Sequence, residues 1–116
     1  MRDDLLDIAN NYIARDDVFY LAIDERDRIV GMIGTQTASS TELWMKRLFI
    51  KPELKGKGIG SKLLLAVEEY AVGKGIIEIH TRFAFWYCEA AAFYPAKGFL
   101  EVERNDHLVH MMKRLK

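Results

Sequence analysis

The residue pattern predicts an α+β fold, a mostly antiparallel twisted sheet with one parallel β-α-β crossover and flanking helices. Three observations lead there. Runs of β-forming residues at 18–23, 29–37 and 42–50 follow one another across short polar turns, as antiparallel strands do. The third run enters a glycine-rich loop, a helical stretch and a further short apolar run, the order of a right-handed crossover between parallel neighbours. Two last β-type runs flank Asn105-Asp106 as a terminal hairpin.

Taken in order, residues 3–14 place Leu5, Leu6, Ile8, Ala9, Tyr12 and Ile13 at helical spacing, with acidic residues in the first turn where the helix dipole favours them. Asp16-Asp17 is read as the end of that helix, and Val18 to Ile23 as the first strand. Asp24 to Asp27 is a polar turn, Ile29 to Thr37 a strand containing Gly31 and Gly34, and Ala38-Ser39-Ser40 another turn. Glu42 to Ile50 is the third strand. Pro52, which has no N–H to give, stops its pairing. A helix runs from Ile59 to about Val72, carries Leu63, Leu64, Val67 and Tyr70, and stops at Gly73-Lys74-Gly75. Ile76 to Thr81 reads as a short buried strand, Glu89 to Lys97 as an Ala-rich helix with Pro95 near its end and Gly98 as its stop, and Phe99 to Arg104 with Leu108 to Leu115 as the hairpin.

A chain of 116 residues, half of them hydrophobic, suits one domain over residues 1–116 with a real core. Its 17 basic and 17 acidic residues cancel, which argues against a general nucleic-acid or anionic-membrane surface. The single cysteine, Cys88, excludes an internal disulfide framework and a four-cysteine metal site. No apolar stretch is long enough to span a bilayer and the Asp-rich start is unlike a signal peptide, so the expectation is a soluble, cytoplasmic protein.

The stretch from Ile50 to Lys62 organises the chain. Gly56, Gly58 and Gly60 alternate with other residues, so successive N–H groups can point into one concavity that opens a helix. Lys55, Lys57 and Lys62 surround it, and the whole suits a phosphate or pyrophosphate. A Walker A loop is excluded because Gly60 is followed by Ser61-Lys62, the reverse of the required order. The dinucleotide fingerprint is excluded because the glycines run Gly-x-Gly-x-Gly. The stretch resembles the acyl-CoA loop of the GNAT superfamily of N-acetyltransferases, Arg/Gln-x-x-Gly-x-Gly/Ala, with Lys55, Gly58 and Gly60 in the first, fourth and sixth places. Lys55 is a departure that keeps a cationic donor. A second match lies in Ala90, Tyr94, Gly98 and Phe99, which fit Asn-x-x-Ala-x-x-x-Tyr-x-x-x-Gly-Phe, with Tyr87 in the Asn place.

The resemblance covers the fold from its second helix to its C-terminus and implies acetyl-CoA as donor and an amine as acceptor. It implies a pyrophosphate on the backbone N–H groups of Lys57, Gly58, Ile59, Gly60 and Ser61, with Lys55 and Gly56 also cofactor-binding, and a pantetheine arm along Leu48, Phe49 and Ile50 where the third strand splays from its neighbour. It places Tyr94 as the acid that protonates the leaving thiolate, and Glu42 where histone-type members carry a catalytic base. His80, with an imidazole suited to neutral pH, is a second base candidate, and an ordered water is a third. His107 and His110 lie in the hairpin, and three histidines without close spacing predict no metal site. Cys88 has no assigned base, and direct transfer needs no acyl-enzyme. Phe83, Phe85, Trp86 and Tyr87 are read as core, acceptor wall or a dimer contact. The family's usual first strand and first helix have no counterpart in this reading. Val18 to Ile23 is then expected to be an exposed edge, covered by a second subunit in a homodimer. The alternative function is a catalytically inactive GNAT-fold module that binds CoA or a protein partner.

Overall fold

Alternation of apolar and polar residues decides which side of the sheet is dry. In the strand Glu42–Ile50, Leu43 and Met45 are buried, while Trp44 is half-buried and Lys46 exposed on the opposite face. The computed structural model describes residues 7–14 and 17–115, which form strands β1 (Asp7–Ala14), β2 (Asp17–Ile23), β3 (Ile29–Thr37), β4 (Glu42–Ile50), β5 (Glu78–Ala84), β6 (Leu100–Arg104) and β7 (Leu108–Arg114). Helix α1 (Ile59–Gly73) joins β4 to β5, and helix α2 (Cys88–Ala96) joins β5 to β6. The strands make one sheet in the order β1-β2-β3-β4-β5-β7-β6, antiparallel throughout except for the parallel β4–β5 pair.

Helix α1 buries Ile59, Leu63, Leu64, Val67 and Ala71 along one stripe, against β2, β3 and β4. Val30, Ile33, Leu43 and Ile79 complete this core from the sheet. Each such side chain contributes about 1.5–3 kcal/mol on burial. Among the described residues the longest helix is α1, and no helix is long and apolar enough to cross a membrane.

Both helices end in the same way. Gly75 has φ +79°, its N–H donates to the Val72 carbonyl at 3.1 Å, and the Ile76 N–H donates to the Ala71 carbonyl at 2.9 Å. Gly98 has φ +94°, its N–H donates to the Pro95 carbonyl at 3.1 Å, and the Phe99 N–H donates to the Tyr94 carbonyl at 3.1 Å. The stop after α1 explains why β5 begins at Glu78 rather than at Ile76: the Ile76 N–H is already committed to the helix end, and Ile76 is buried there.

Two expectations are corrected. The described part of the predicted 3–14 helix, residues 7–14, is strand β1; residues 3–6 lie outside the described residues. It pairs antiparallel with β2 from Asp7↔Ile23 to Ala14↔Asp17. The spacing of Ile8, Ala9 and Tyr12 fits a helix face, but the open edge of β2 offers a row of main-chain partners, and tertiary pairing overrides local preference. Val18 to Ile23 is therefore not an exposed edge; it lies between β1 and β3, and the edge argument for a homodimer falls with it. The sheet edges are β1 and β6.

Candidate active site

Strands β4 and β5 stay together for only three residue pairs, Glu42↔Glu78, Leu43↔Ile79 and Trp44↔His80. Beyond them β4 bulges. Met32 faces Phe49 and Gly34 faces Lys46, so Arg47 and Leu48 stand opposite Ile33 alone. The bulge bends β4 away, and β5 from Thr81 to Ala84 pairs only with β7. The result is a V-shaped gap in the middle of the sheet, with unpaired main-chain groups along β4.

This gap belongs to a cleft of about 880 Å³, within the size range of small-molecule sites. Leu48, Phe49 and Ile50 line it from β4, and Lys55, Gly56, Gly58, Ile59, Gly60 and Ser61 from the loop and the start of α1. Of the predicted donor-binding residues, Lys57 alone stands outside the lining, exposed. Gly58 caps α1 in the left-handed region at φ +86°, with no side-chain cap. The first helical bond runs from the Lys62 N–H to the Gly58 carbonyl at 3.1 Å, so the N–H groups of residues 59–61 have no intrahelical acceptor and face the loop. No acidic residue lies in this first turn, which keeps the positive end of the dipole available to an anion. Lys55 Nζ is bound to Glu89 Oε1 at 3.1 Å, so the motif's first position is tied to the start of α2. An added Cβ on Gly60 would lie 3.3 Å from the Phe93 ring, so the small residue lets α1 and α2 approach.

Tyr94 lines the cleft from α2 and is only 4% exposed. Its ring packs on Phe83, Phe93 and Phe99, with centroids 5.7, 5.2 and 5.2 Å away. The Gly98-Phe99 helix stop holds its carbonyl, so the second motif is a device for placing this phenol. Burial raises the Tyr94 pKa above that of a free phenol; a hydrogen bond with Thr81 opposes the rise, and Tyr87 adds to it. The group is a neutral O–H donor at physiological pH. Thr81 and Glu89 line the cleft without having been singled out in the sequence, since their partners Tyr94 and Lys55 lie elsewhere in the chain.

Glu42 and His80 come together but outside the cleft lining. His80 is 7% exposed; its Nε2 lies 3.1 Å from Glu78 Oε1 and 3.8 Å from Glu42 Oε2, and its Nδ1 lies 2.8 Å from His110 Nε2. Trp44 stacks on both imidazoles, at 4.9 and 4.8 Å. Burial, then His80 and then Arg82 lower the His110 pKa, with Glu103 opposing. Both ring nitrogens of His80 are thus engaged. One ligand atom each from Glu42, Glu78 and His80 lies within 4.8 Å of the others, the one such grouping among the described residues. Cys88 is exposed, with Sγ 3.6 Å from the Trp86 carbonyl and no place in the cleft lining. Of the aromatic run, Phe83 is buried and Tyr87 lines the cleft, while Phe85 and Trp86 are exposed.

Comparison with known proteins agrees with this geometry. Residues 15–101 match the acetyltransferase (GNAT) domain family. The chain is 32% identical over 62 residues to thialysine N-epsilon-acetyltransferase of Bos taurus, covering 53% of this chain and 36% of that protein. It is 27% identical over 114 residues to the probable N-acetyltransferase camello of Xenopus tropicalis, covering 95% of this chain and 52% of that one. The chain thus spans about a third to a half of the length of these curated relatives. A GNAT-family acetyltransferase from Staphylococcus aureus Mu50 superposes with TM-score 0.84 at 27% identity, over 91% of this chain and 72% of that one. The PaiA N-acetyltransferase of Thermoplasma acidophilum, solved in complex with coenzyme A, superposes with TM-score 0.81 at 27% identity, over 85% and 61%. The glycine loop, the parted strands and the placed tyrosine all fall within the matched residues, and the chain belongs to the GNAT acetyltransferase family.

Proposed function

We propose that this chain transfers the acetyl group of acetyl-CoA directly to a primary amine of a small molecule or peptide. The observation that carries the reading is the parting of β4 from β5 directly in front of the uncapped N-terminus of α1, with the buried Tyr94 across the gap. The free N–H groups of residues 59–61 suit the donor's pyrophosphate, and the unpaired edge of β4 at Leu48 to Ile50 suits the amides of its pantetheine arm. The amine nitrogen attacks the thioester carbonyl, the C–S bond breaks, and the sulfur takes the Tyr94 proton. A β4 N–H steadies the developing oxyanion. The amine's proton leaves through water at the mouth of the cleft, and a proton returned from water restores the Tyr94 phenol. Along its strand His80 stands one same-face step, about 6.6 Å, from Arg82 in the lining, and Glu42 stands two steps, about 13 Å, from Lys46, so either would take the amine's proton only through ordered water.

Calorimetric titration with acetyl-CoA, wild type beside Gly58→Asp, tests the donor site. Binding in the wild type and a roughly tenfold or greater loss in the variant are expected, because a carboxylate would meet the phosphate at its closest approach. Equal affinities would remove the loop from donor binding. A second reading, an inactive CoA-binding module, draws on the Lys55–Glu89 ion pair and on Tyr87 in the motif's Asn place. It predicts the same titration with no acceleration of CoA release by any amine.

A further inference from the structure

We infer that the acceptor carries a carboxylate within a few bonds of the amine that is acetylated, as an α-amino acid does; this rests on the transferase reading above. Lys46 on β4 and Arg82 on β5 are the first residues beyond the last β4–β5 pair that lie on the face opposite α1, and both line the cleft. They therefore flank the gap where the strands part. Two cations lining one cleft, one from each parted strand, make it a place for an anion. Neither is matched by a carboxylate among the described residues. Lys46 Nζ donates to the neutral Gln36 side chain, and the Arg82 guanidinium lies over the Trp44 ring at 4.9 Å.

The donor's phosphates do not account for this pair. They are assigned to the loop that follows Ile50, four residues and on the order of 13 Å further along β4. Among the described residues the only carboxylate in the cleft lining is Glu89, already bound to Lys55, so none of them is free there to hold a second cationic group of an acceptor. On its far side Arg82 also lines a smaller cavity of about 240 Å³ with Arg104, Asn105, Leu108 and His110, where Glu103 is the one carboxylate. An acceptor anchored on Arg82 has room there for its remaining atoms. A guanidinium fork pairs with a carboxylate through two parallel hydrogen bonds, and Lys46 adds a point charge from the other strand.

The test is CoA release from acetyl-CoA with three matched acceptors: an α-amino acid, its α-amide, and the amine left when the carboxylate is removed. The acid is expected to exceed both in kcat/KM by roughly tenfold or more, mainly through KM, the effect of about one charge-assisted contact. Arg82→Gln and Lys46→Gln should each pull the acid-to-amide ratio toward one while leaving acetyl-CoA affinity in calorimetry unchanged. An amide or plain amine used as well as the acid, or variants that lower all three acceptors alike, would overturn the inference. If no acceptor turns over, titration of the N-acetyl amino acid and of its amide into the CoA-loaded protein decides: preference for the acid supports the anion site, and equal or absent binding overturns it. Failure of acetyl-CoA itself to bind removes the transferase reading and this inference with it.

Discussion

The phenol of Tyr94 is buried among Phe83, Phe93 and Phe99 and hydrogen-bonded with Thr81, an environment that favours its neutral form. An alkaline fall in kcat due to this group should therefore have its midpoint above that of a free phenol, which a pH–rate profile reads directly. The same shift makes a stability statement: the folded pKa is raised, so the contribution is full below the unfolded value near 10 and lost as pH rises through the folded one. Tyr94→Phe keeps every ring contact and removes only the proton donor. We expect kcat to fall roughly 10²-fold or more while acetyl-CoA affinity holds and Tm moves little. An unchanged kcat would reduce Tyr94 to a packing residue. Glu42→Gln should cost less, about tenfold at most, because its carboxylate reaches the cleft only through His80 or water; a larger loss in steady-state kcat would make Glu42 a direct base.

At the scale of elements, the two helices that frame the cleft come close at a small residue. Gly60 faces the Phe93 ring, and Phe93 precedes Tyr94 on α2. A branched side chain there must push α2 aside, and overpacking of this kind costs about 1–3 kcal/mol. Gly60→Val should lower Tm by several degrees in a thermal melt and lower kcat as well, since the phenol moves with its helix. Gly60→Ala requires Phe93 to yield only a few tenths of an ångström and should be much milder in both assays. A Gly60→Val protein with wild-type kcat would show that the position of Tyr94 does not depend on this contact.

For the whole molecule, the sheet is covered by α1 on one face, while the other carries the Trp44, His80 and His110 stack. His110 meets His80 and Arg82, with Glu103 the facing carboxylate, and its pKa is depressed. A depressed histidine contributes stability above its unfolded pKa near 6.5 and loses it as pH falls through the folded value. Denaturant unfolding should therefore show stability declining as pH is lowered through and below about 6.5, and the slope should flatten in His110→Gln. An identical slope in that variant would place the acid sensitivity elsewhere. If the cleft takes the proposed donor, acetyl-CoA in excess should raise Tm at every pH, because a ligand of the folded chain alone stabilises it.

Much of this fold is written in local patterns. Ile29–Thr37 and Glu42–Ile50 alternate as strands, Ile59 to Gly73 repeats as a helix, and Gly98 after Tyr94 marks a stop. Each of these signals depends on neighbours within a few residues, so sequence alone determines them. It also determines the glycine loop, whose chemistry lies in its own backbone. What only the tertiary structure decides is long-range. Residues 7–14 carry a spacing that a helix would accept, and the open edge of β2 makes them a strand. Thr81 meets Tyr94 and Glu89 meets Lys55 because the β4 bulge parts the sheet and α2 closes over the gap. His80 is drawn away from the cleft, under Trp44, by carboxylates and a histidine from three other points in the chain. Lys46 and Arg82, far apart in sequence, both line the cleft because parallel pairing ends two residues earlier. Pairing register and bulge position are properties of the assembled sheet, and no single segment encodes them.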